Sequence, residues 1–334
     1  TVLYTGNGST QSITGVGFQP DMTWGKARST TTNHVIQTPV QGLSTAIFPN
    51  LNNAESTGLT NAITSFDTDG FSLGDWSVLN ASSQTFVSWN WRAGAGAGSS
   101  NTDGSINTTS TSVNTTAGFS ISKYTGTGSA ATIGHGLGAV PKMILMKKLS
   151  SNVGWIVYHH GIGANKYLRL NTTDAEATDT NMFNNTTPTS SVFSLGTDSD
   201  NNGSGATYIA YCFAEKKGFS KFGSYTGNGN ANGTFVYTGF KPGFVMIKYV
   251  SPTSGTGNWN IMDTARSPHN IVGLAVSANT NGADDGGDFI DILSNGFKPR
   301  STSSNRNENG STYIYMAFAE EPLVSSNNIP ATAR

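Results

Sequence analysis

The sequence predicts an all-β protein of three tandem antiparallel β-sandwiches, and three observations predict it. Charged residues make up only 12% of the chain while glycine fills 40 of its 334 positions, a composition that suits turns and short strands and is poor in helix formers. Strand-like apolar runs recur with Gly/Asn turns between them, and no 3.6-residue apolar stripe of useful length appears. One pattern also returns three times. Tyr4-Thr5-Gly6-Asn7-Gly8 leads to Gly17-Phe18-Gln19-Pro20 and Lys26, Tyr124-Thr125-Gly126-Thr127-Gly128 leads to Gly138-Ala139-Val140-Pro141 and Lys147, and Tyr225-Thr226-Gly227-Asn228-Gly229 leads to Gly239-Phe240-Lys241-Pro242 and Lys248. Each lysine follows its proline by six positions. The chain therefore reads as three versions of one unit of roughly 100 residues, the size of an ordinary domain, with boundaries at 1–98, 99–217 and 218–334.

Each unit opens on the tyrosine turn, where glycine permits positive φ, and continues into a strand led by proline, which needs no ladder donor at a strand's first residue. In unit one that strand is Asp21-Met22-Thr23-Trp24-Gly25-Lys26, and a polar middle with His34 and Glu55 follows. The unit closes on Phe86-Val87-Ser88-Trp89-Asn90-Trp91-Arg92, with counterparts Tyr208-Ile209-Ala210-Tyr211-Cys212-Phe213-Ala214 and Tyr313-Ile314-Tyr315-Met316-Ala317-Phe318-Ala319. A period of two places Val87/Trp89/Trp91, Ile209/Tyr211/Phe213 and Ile314/Met316/Phe318 on matching core faces. Ala93-Gly94-Ala95-Gly96-Ala97-Gly98 then reads as a flexible linker with nothing to bury. Units two and three repeat the order with Trp155-Ile156-Val157-Tyr158-His159-His160 and Trp259-Asn260-Ile261-Met262-Asp263. A lectin-like jelly roll in each unit is the expected fold, each unit closing its own core; a three-lobed prism is the alternative.

The formal net charge is −1 and no Lys/Arg cluster occurs, which argues against nucleic-acid binding. The single Cys212 can form no internal disulfide. No apolar stretch approaches the roughly 20 residues that cross a bilayer, so no membrane insertion is expected. Gly118-Phe119-Ser120 and Gly218-Phe219-Ser220 precede the second and third units, while unit one begins almost at its tyrosine. That difference predicts a longer parent chain upstream of Thr1.

Asp198, Asp200 and Asn202 in Asp198-Ser199-Asp200-Asn201-Asn202-Gly203 match the opening of a calcium loop, with alternate oxygen ligands and a glycine at the bend. The glutamate that would complete it is absent, since position 209 is isoleucine, and an Asx turn has the same composition. His159 and His160 are strand neighbours on opposite faces and assemble no metal set. No G-x-S-x-G elbow follows an apolar strand, so no catalysis is expected. Lys26, Lys147 and Lys248 could form a repeated ligand site, but a lysine ending a strand usually solvates that end or neutralises a carboxylate. Trp155, Trp259 and Tyr167 are candidates for stacking on sugar rings, against a plain reading as sandwich core.

Several stretches carry a family resemblance: Gly134-His135-Gly136-Leu137-Gly138, Trp155-Ile156-Val157-Tyr158-His159, Ser220-Lys221-Phe222-Gly223-Ser224-Tyr225-Thr226-Gly227-Asn228-Gly229, Phe235-Val236-Tyr237-Thr238-Gly239-Phe240, and Tyr313-Ile314-Tyr315-Met316-Ala317-Phe318-Ala319-Glu320 through Pro330-Ala331-Thr332-Ala333-Arg334. Together they resemble a repeat family at the C-terminal ends of tailed-bacteriophage virion proteins, common in marine and cyanobacterial phages. The resemblance covers nearly the whole chain and is weakest from His34 to Asn61. It implies a virion protein of the tail-fibre kind, on the tail fibre or capsid surface. The expected partners are other virion proteins, further copies of the chain with a trimer favoured, and host-surface polysaccharide bound by loops, with calcium as the only cofactor in question. A purely architectural role in capsid decoration or a fibre or tube is the alternative, and a polysaccharide depolymerase stands behind both.

Overall fold

A computed structural model describes residues 1–251 and 257–321; the quoted ending at 330–334 lies outside the described residues. Strands hold 43% of the chain and helix 4%, so the protein is all-β, and every strand pairing within its sheets is antiparallel.

One pairing scheme organises all three repeats. The closing strand of each lies between the first strand and the proline-led strand: Thr85–Trp91 between Val2–Thr5 and Met22–Ala27, Thr207–Ala214 between Phe119–Thr125 and Pro141–Lys148, and Thr312–Ala319 between Ser220–Thr226 and Pro242–Ser251. The beginning and end of each unit are thereby zipped together, with Tyr4 opposite Phe86, Tyr124 opposite Tyr208 and Tyr225 opposite Tyr313. A smaller set of strands lies apart from this scheme. In unit one it is Gln11–Ile13, Gly70–Leu73 and Ile63–Asp67, and in unit two Ala131–Gly134 with Val192–Leu195. In unit three Asp285–Leu293, Gly296–Pro299 and Val236–Tyr237 join the main sheet through Val272–Ser277, giving eight continuous strands.

The tyrosine turn is held by a device that the sequence alone does not reveal. A one-turn helix before each closing strand ends on a buried asparagine, at Ser77–Asn80, Ser199–Asn202 and Ser304–Asn307. The Oδ1 atoms of Asn80, Asn202 and Asn307 accept from the amides of Asn7, Thr127 and Asn228 at 3.0, 2.9 and 3.0 Å. Their Nδ2 groups donate across the turn to Ser9, Ser129 and Asn230 carbonyls. The tyrosine hydroxyls donate to the carbonyls of Leu79, Asn201 and Arg306. Glycine is required next to the threonine because a Cβ on Gly126 would stand 2.5 Å from the Gly203 carbonyl oxygen.

Alternation along the closing strands divides the core in two. Val87, Trp89, Trp91, Ile209, Tyr211, Phe213, Ile314, Met316 and Phe318 all lie in one hydrophobic cluster shared by the three units, as the period of two predicts. The opposite faces of the main sheets pack into three further clusters, each confined to one unit. Independent closure of each unit therefore describes only the outer clusters.

The segment after Trp91 departs from the linker expectation. Ala93 is buried, and the amides of Ala93, Ala95 and Gly96 donate to the Asp21 carboxylate at 2.7, 3.0 and 2.6 Å. A Cβ on Gly98 would meet the Thr111 carbonyl oxygen at 2.1 Å. Small residues serve here to let backbone close on a carboxylate and on the next strand, rather than to keep the chain free.

Candidate functional site

At the end of the shared core where the closing strands finish, a cavity of about 750 Å³ opens. Its apolar lining includes the last inward residues of the closing strands of units one and three, Trp91 and Phe318, together with Trp89, Phe119, Phe219 and Phe244. Trp91, Phe244 and Phe318 form a triangle, with ring centroids 5.8 Å apart for Trp91–Phe244, 5.7 Å for Trp91–Phe318 and 6.0 Å for Phe244–Phe318. Asn90, Arg92, Asn114, Thr264 and Glu320 supply polar groups, and Glu320 pairs with Lys241.

Behind the cavity a charge network, buried at Asp263 and Arg266 and half-buried at Arg28 and Asp284, ties unit one to unit three. The Trp89 indole N–H donates to Asp263 Oδ2 at 3.1 Å, Arg266 Nε donates to the same oxygen at 2.6 Å, and Arg266 lies over the Trp89 ring at 5.3 Å. Asp284 then bridges Arg266 at 2.9 Å and Arg28 at 2.8 Å. Complete pairing of these charges fixes Trp89 in place. The arrangement can hold a ring-shaped ligand by aromatic contact and orient it with amide, guanidinium and carboxylate groups.

Residues 1–322 match the family described as Domain of unknown function (DUF7483). The chain belongs to this family. The match spans all three repeats. No curated protein and no solved structure matches the chain.

The repeated lysines are placed otherwise than a strand-ending lysine predicts. Lys26, Lys147 and Lys248 are buried and hold backbone carbonyls instead of carboxylates. Lys26 Nζ donates to Ala27 O at 2.6 Å, Lys147 Nζ to Val153 O at 2.7 Å and Lys248 Nζ to Gly257 O at 2.6 Å. Two of them also cross between units, Lys147 to Asn52 O at 3.4 Å and Lys248 to Thr173 O at 2.9 Å. Burial lowers Lys26 and Lys147 to about 8 and Lys248 to about 7.

Trp155 and Trp259 are fully buried in the shared core, which removes both from the set of exposed sugar platforms. Their indole N–H groups reach into the preceding unit, to Phe48 O and Arg169 O, each at 2.9 Å. His34 takes the equivalent place in unit one and bonds Ser277 O of unit three at 3.1 Å. The three contacts close a ring of units: one to three, three to two, two to one. Tyr167 is half-buried with the Arg169 guanidinium 5.5 Å from its ring centroid.

Asp198, Asp200 and Asn202 belong to the one-turn helix, and each has a structural partner. Asp198 caps it by accepting from Asp200 N at 2.7 Å, Asp200 pairs with Arg169 at 2.7 Å, and Asn202 clamps the tyrosine turn. Their oxygens serve three different structural tasks. Among the described residues no group of three or more His, Cys, Asp or Glu is placed to hold a metal ion. His159 and His160 bond Tyr315 O and Phe222 O of unit three at 3.3 and 3.1 Å, and burial brings His159 down to about 3.

The cavity residues were visible in the sequence only as core. Periodicity marks Trp91 and Phe318 as inward-facing, and nothing local marks them as the last inward residues before an opening.

Proposed function

We propose that the chain is a non-enzymatic structural protein of a tailed-phage virion, a tail-fibre or other adhesive fibre component, built of three β-sandwich units and binding host-surface polysaccharide. The observation that carries the binding role is the cavity: a lining that combines aromatic rings with polar groups is the chemistry that a saccharide ring needs, apolar faces for its C–H groups and donors and acceptors for its hydroxyls. The non-enzymatic reading draws support from Lys26, Lys147 and Lys248 and from His34, His159 and His160, each of which bonds a backbone carbonyl within the fold. The virion setting rests on the sequence resemblance.

Glycan-array binding by the purified chain, with and without added calcium, tests the reading. Binding should weaken at least about tenfold in Arg92→Ala, since Arg92 is exposed at the rim and its loss leaves the core intact. Absence of binding to any host polysaccharide would leave the architectural role, which the shared core also supports, and imaging the particle would then place the protein on fibre or capsid. Release of reducing sugar from host polysaccharide would favour the depolymerase instead.

A further inference from the structure

The three units can be compared position by position at the strand that follows the tyrosine turn. Ile13 faces Phe71, Ile133 faces Phe193 and Val236 faces Phe297. The residues flanking that anchor are Ser12 and Thr14 in unit one, Thr132 and Gly134 in unit two, and Phe235 and Tyr237 in unit three. The fold therefore needs no aromatic there, yet Phe235 is 46% and Tyr237 62% exposed.

In unit two the same place is covered by an arm of chain ahead of the unit. Ile106 N donates to Thr132 O at 3.1 Å, Thr132 N to Ser105 Oγ at 2.9 Å, and Thr109 N to Lys123 O at 2.7 Å. The Ile106 side chain joins the unit's own hydrophobic cluster, and Ser110–Asn114 continues the arm as a strand against Phe119–Thr125. Unit three has no such arm, because only residues 215–219 separate its first strand from the last strand of unit two. Ser224 stands where Lys123 does and Phe235 where Thr132 does. Among the described residues the sheet ends there, on Val236–Tyr237. His160 already occupies Phe222 O and the Thr234 hydroxyl occupies Thr226 O. The Tyr315 hydroxyl donates to Tyr237 O at 3.4 Å, so the backbone opening is limited to Ser224 and Phe235, matching arm residues 105–109.

We propose that this open edge of unit three binds an extended, hydroxyl-rich segment of a partner protein carrying one aliphatic residue, in the manner in which residues 105–109 dock on unit two. Backbone pairing to Ser224 and Phe235 supplies affinity, and the exposed rings of Phe235 and Tyr237 pack on the aliphatic side chain and cover the docked segment. Their exposure is what a bare edge with an absent partner leaves behind.

The probe is a fluorescein-labelled peptide with the sequence of residues 101–112, titrated into the intact chain and followed by anisotropy. Saturable binding is expected, weakened at least about tenfold by the double substitution Phe235→Ser and Tyr237→Thr. That variant carries the residue types of unit one at these positions and should keep the wild-type circular dichroism and melting temperature. A peptide with Ile106→Asp should bind correspondingly less, while Leu43→Ser, at an exposed site in unit one, should leave binding unchanged. No saturable binding, or equal binding by the double variant, overturns the proposal. So does retention of glycans rather than peptide by the wild-type chain with release in the double variant, which would make the aromatic pair a sugar platform.

Discussion

Asn202 shows how much a single buried amide does in this chain. Its Oδ1 accepts from Thr127 N at 2.9 Å, and its Nδ2 donates to Ser129 O and Gly196 O, both at 2.7 Å. Asn202→Ala leaves buried backbone groups without partners and should destabilise the protein by about 2–4 kcal/mol in urea unfolding. Thr127→Ala, on the exposed side of the same turn, should cost a small fraction of that. Lys248 carries a similar load. Replacing it with methionine keeps the length of the side chain but strips the Gly257 and Thr173 carbonyls of their donor. A loss of about 1–3 kcal/mol is expected by the same measurement, and a neutral effect would mean that water takes the lysine's place. The motif was legible as a repeat, but its mechanism was not. Asn202 lies 75 residues from Thr127, and no local pattern announces a partner at that distance.

At the scale of elements, the stretch after Trp91 carries the clearest lesson. Its alternating Gly and Ala residues give the composition of a flexible linker, yet the amides of Ala93, Ala95 and Gly96 converge on Asp21. Small side chains are compatible with freedom and with close approach alike, and only the presence of a carboxylate at the right place decides between them. Asp21→Asn weakens the charge-assisted bonds and should lower stability by about 1–3 kcal/mol. Faster amide hydrogen exchange at Ala93, Ala95 and Gly96 in that variant would check the cause, and unchanged exchange would count against it. The closing strands were read correctly from their period of two, because alternation fixes which side chains share a face. Which body that face packs against was left open.

For the whole molecule, the shared core has two consequences. Unfolding should be a single cooperative transition in calorimetry, and unit three excised alone should fail to fold, because its face bearing Met246, Trp259, Ile261 and Met316 would lie open to water. Three separable transitions would contradict this. Stability should also rise with pH across the neutral range. Burial holds His34 well below its ordinary value and His159 at about 3, while Lys26 and Lys147 sit at about 8 and Lys248 at about 7. Each of these groups gives up its proton at a lower pH when folded than when unfolded. The unfolded chain consequently binds more protons between the folded and ordinary values, and stability increases over that interval. Tyr208 and Tyr313, raised to about 12, reverse the trend once unfolded phenols ionise. The unfolding free energy from urea titration, and with it the urea midpoint, should climb from about pH 5 to about pH 9.5 and fall above about pH 10, the rise in free energy being on the order of a few kcal/mol. A midpoint that stays level between pH 7 and 9 would show that the lysines keep their ordinary titration.

The sequence by itself determined the class, the threefold repeat of the tyrosine-to-lysine pattern and the inward faces, because glycine content, a fixed internal offset and a period of two are local properties of a chain. It also marked Lys26, Lys147 and Lys248 as equivalent positions. Only the tertiary structure decided that the units pool their largest core, that Trp155 and Trp259 are interior ties between neighbours, and that a cavity opens where the closing strands end. Each of these depends on what faces a side chain across a sheet or between units. That relation is set by packing among residues far apart in sequence, and burial turns the same tryptophan from a surface platform into a structural pin.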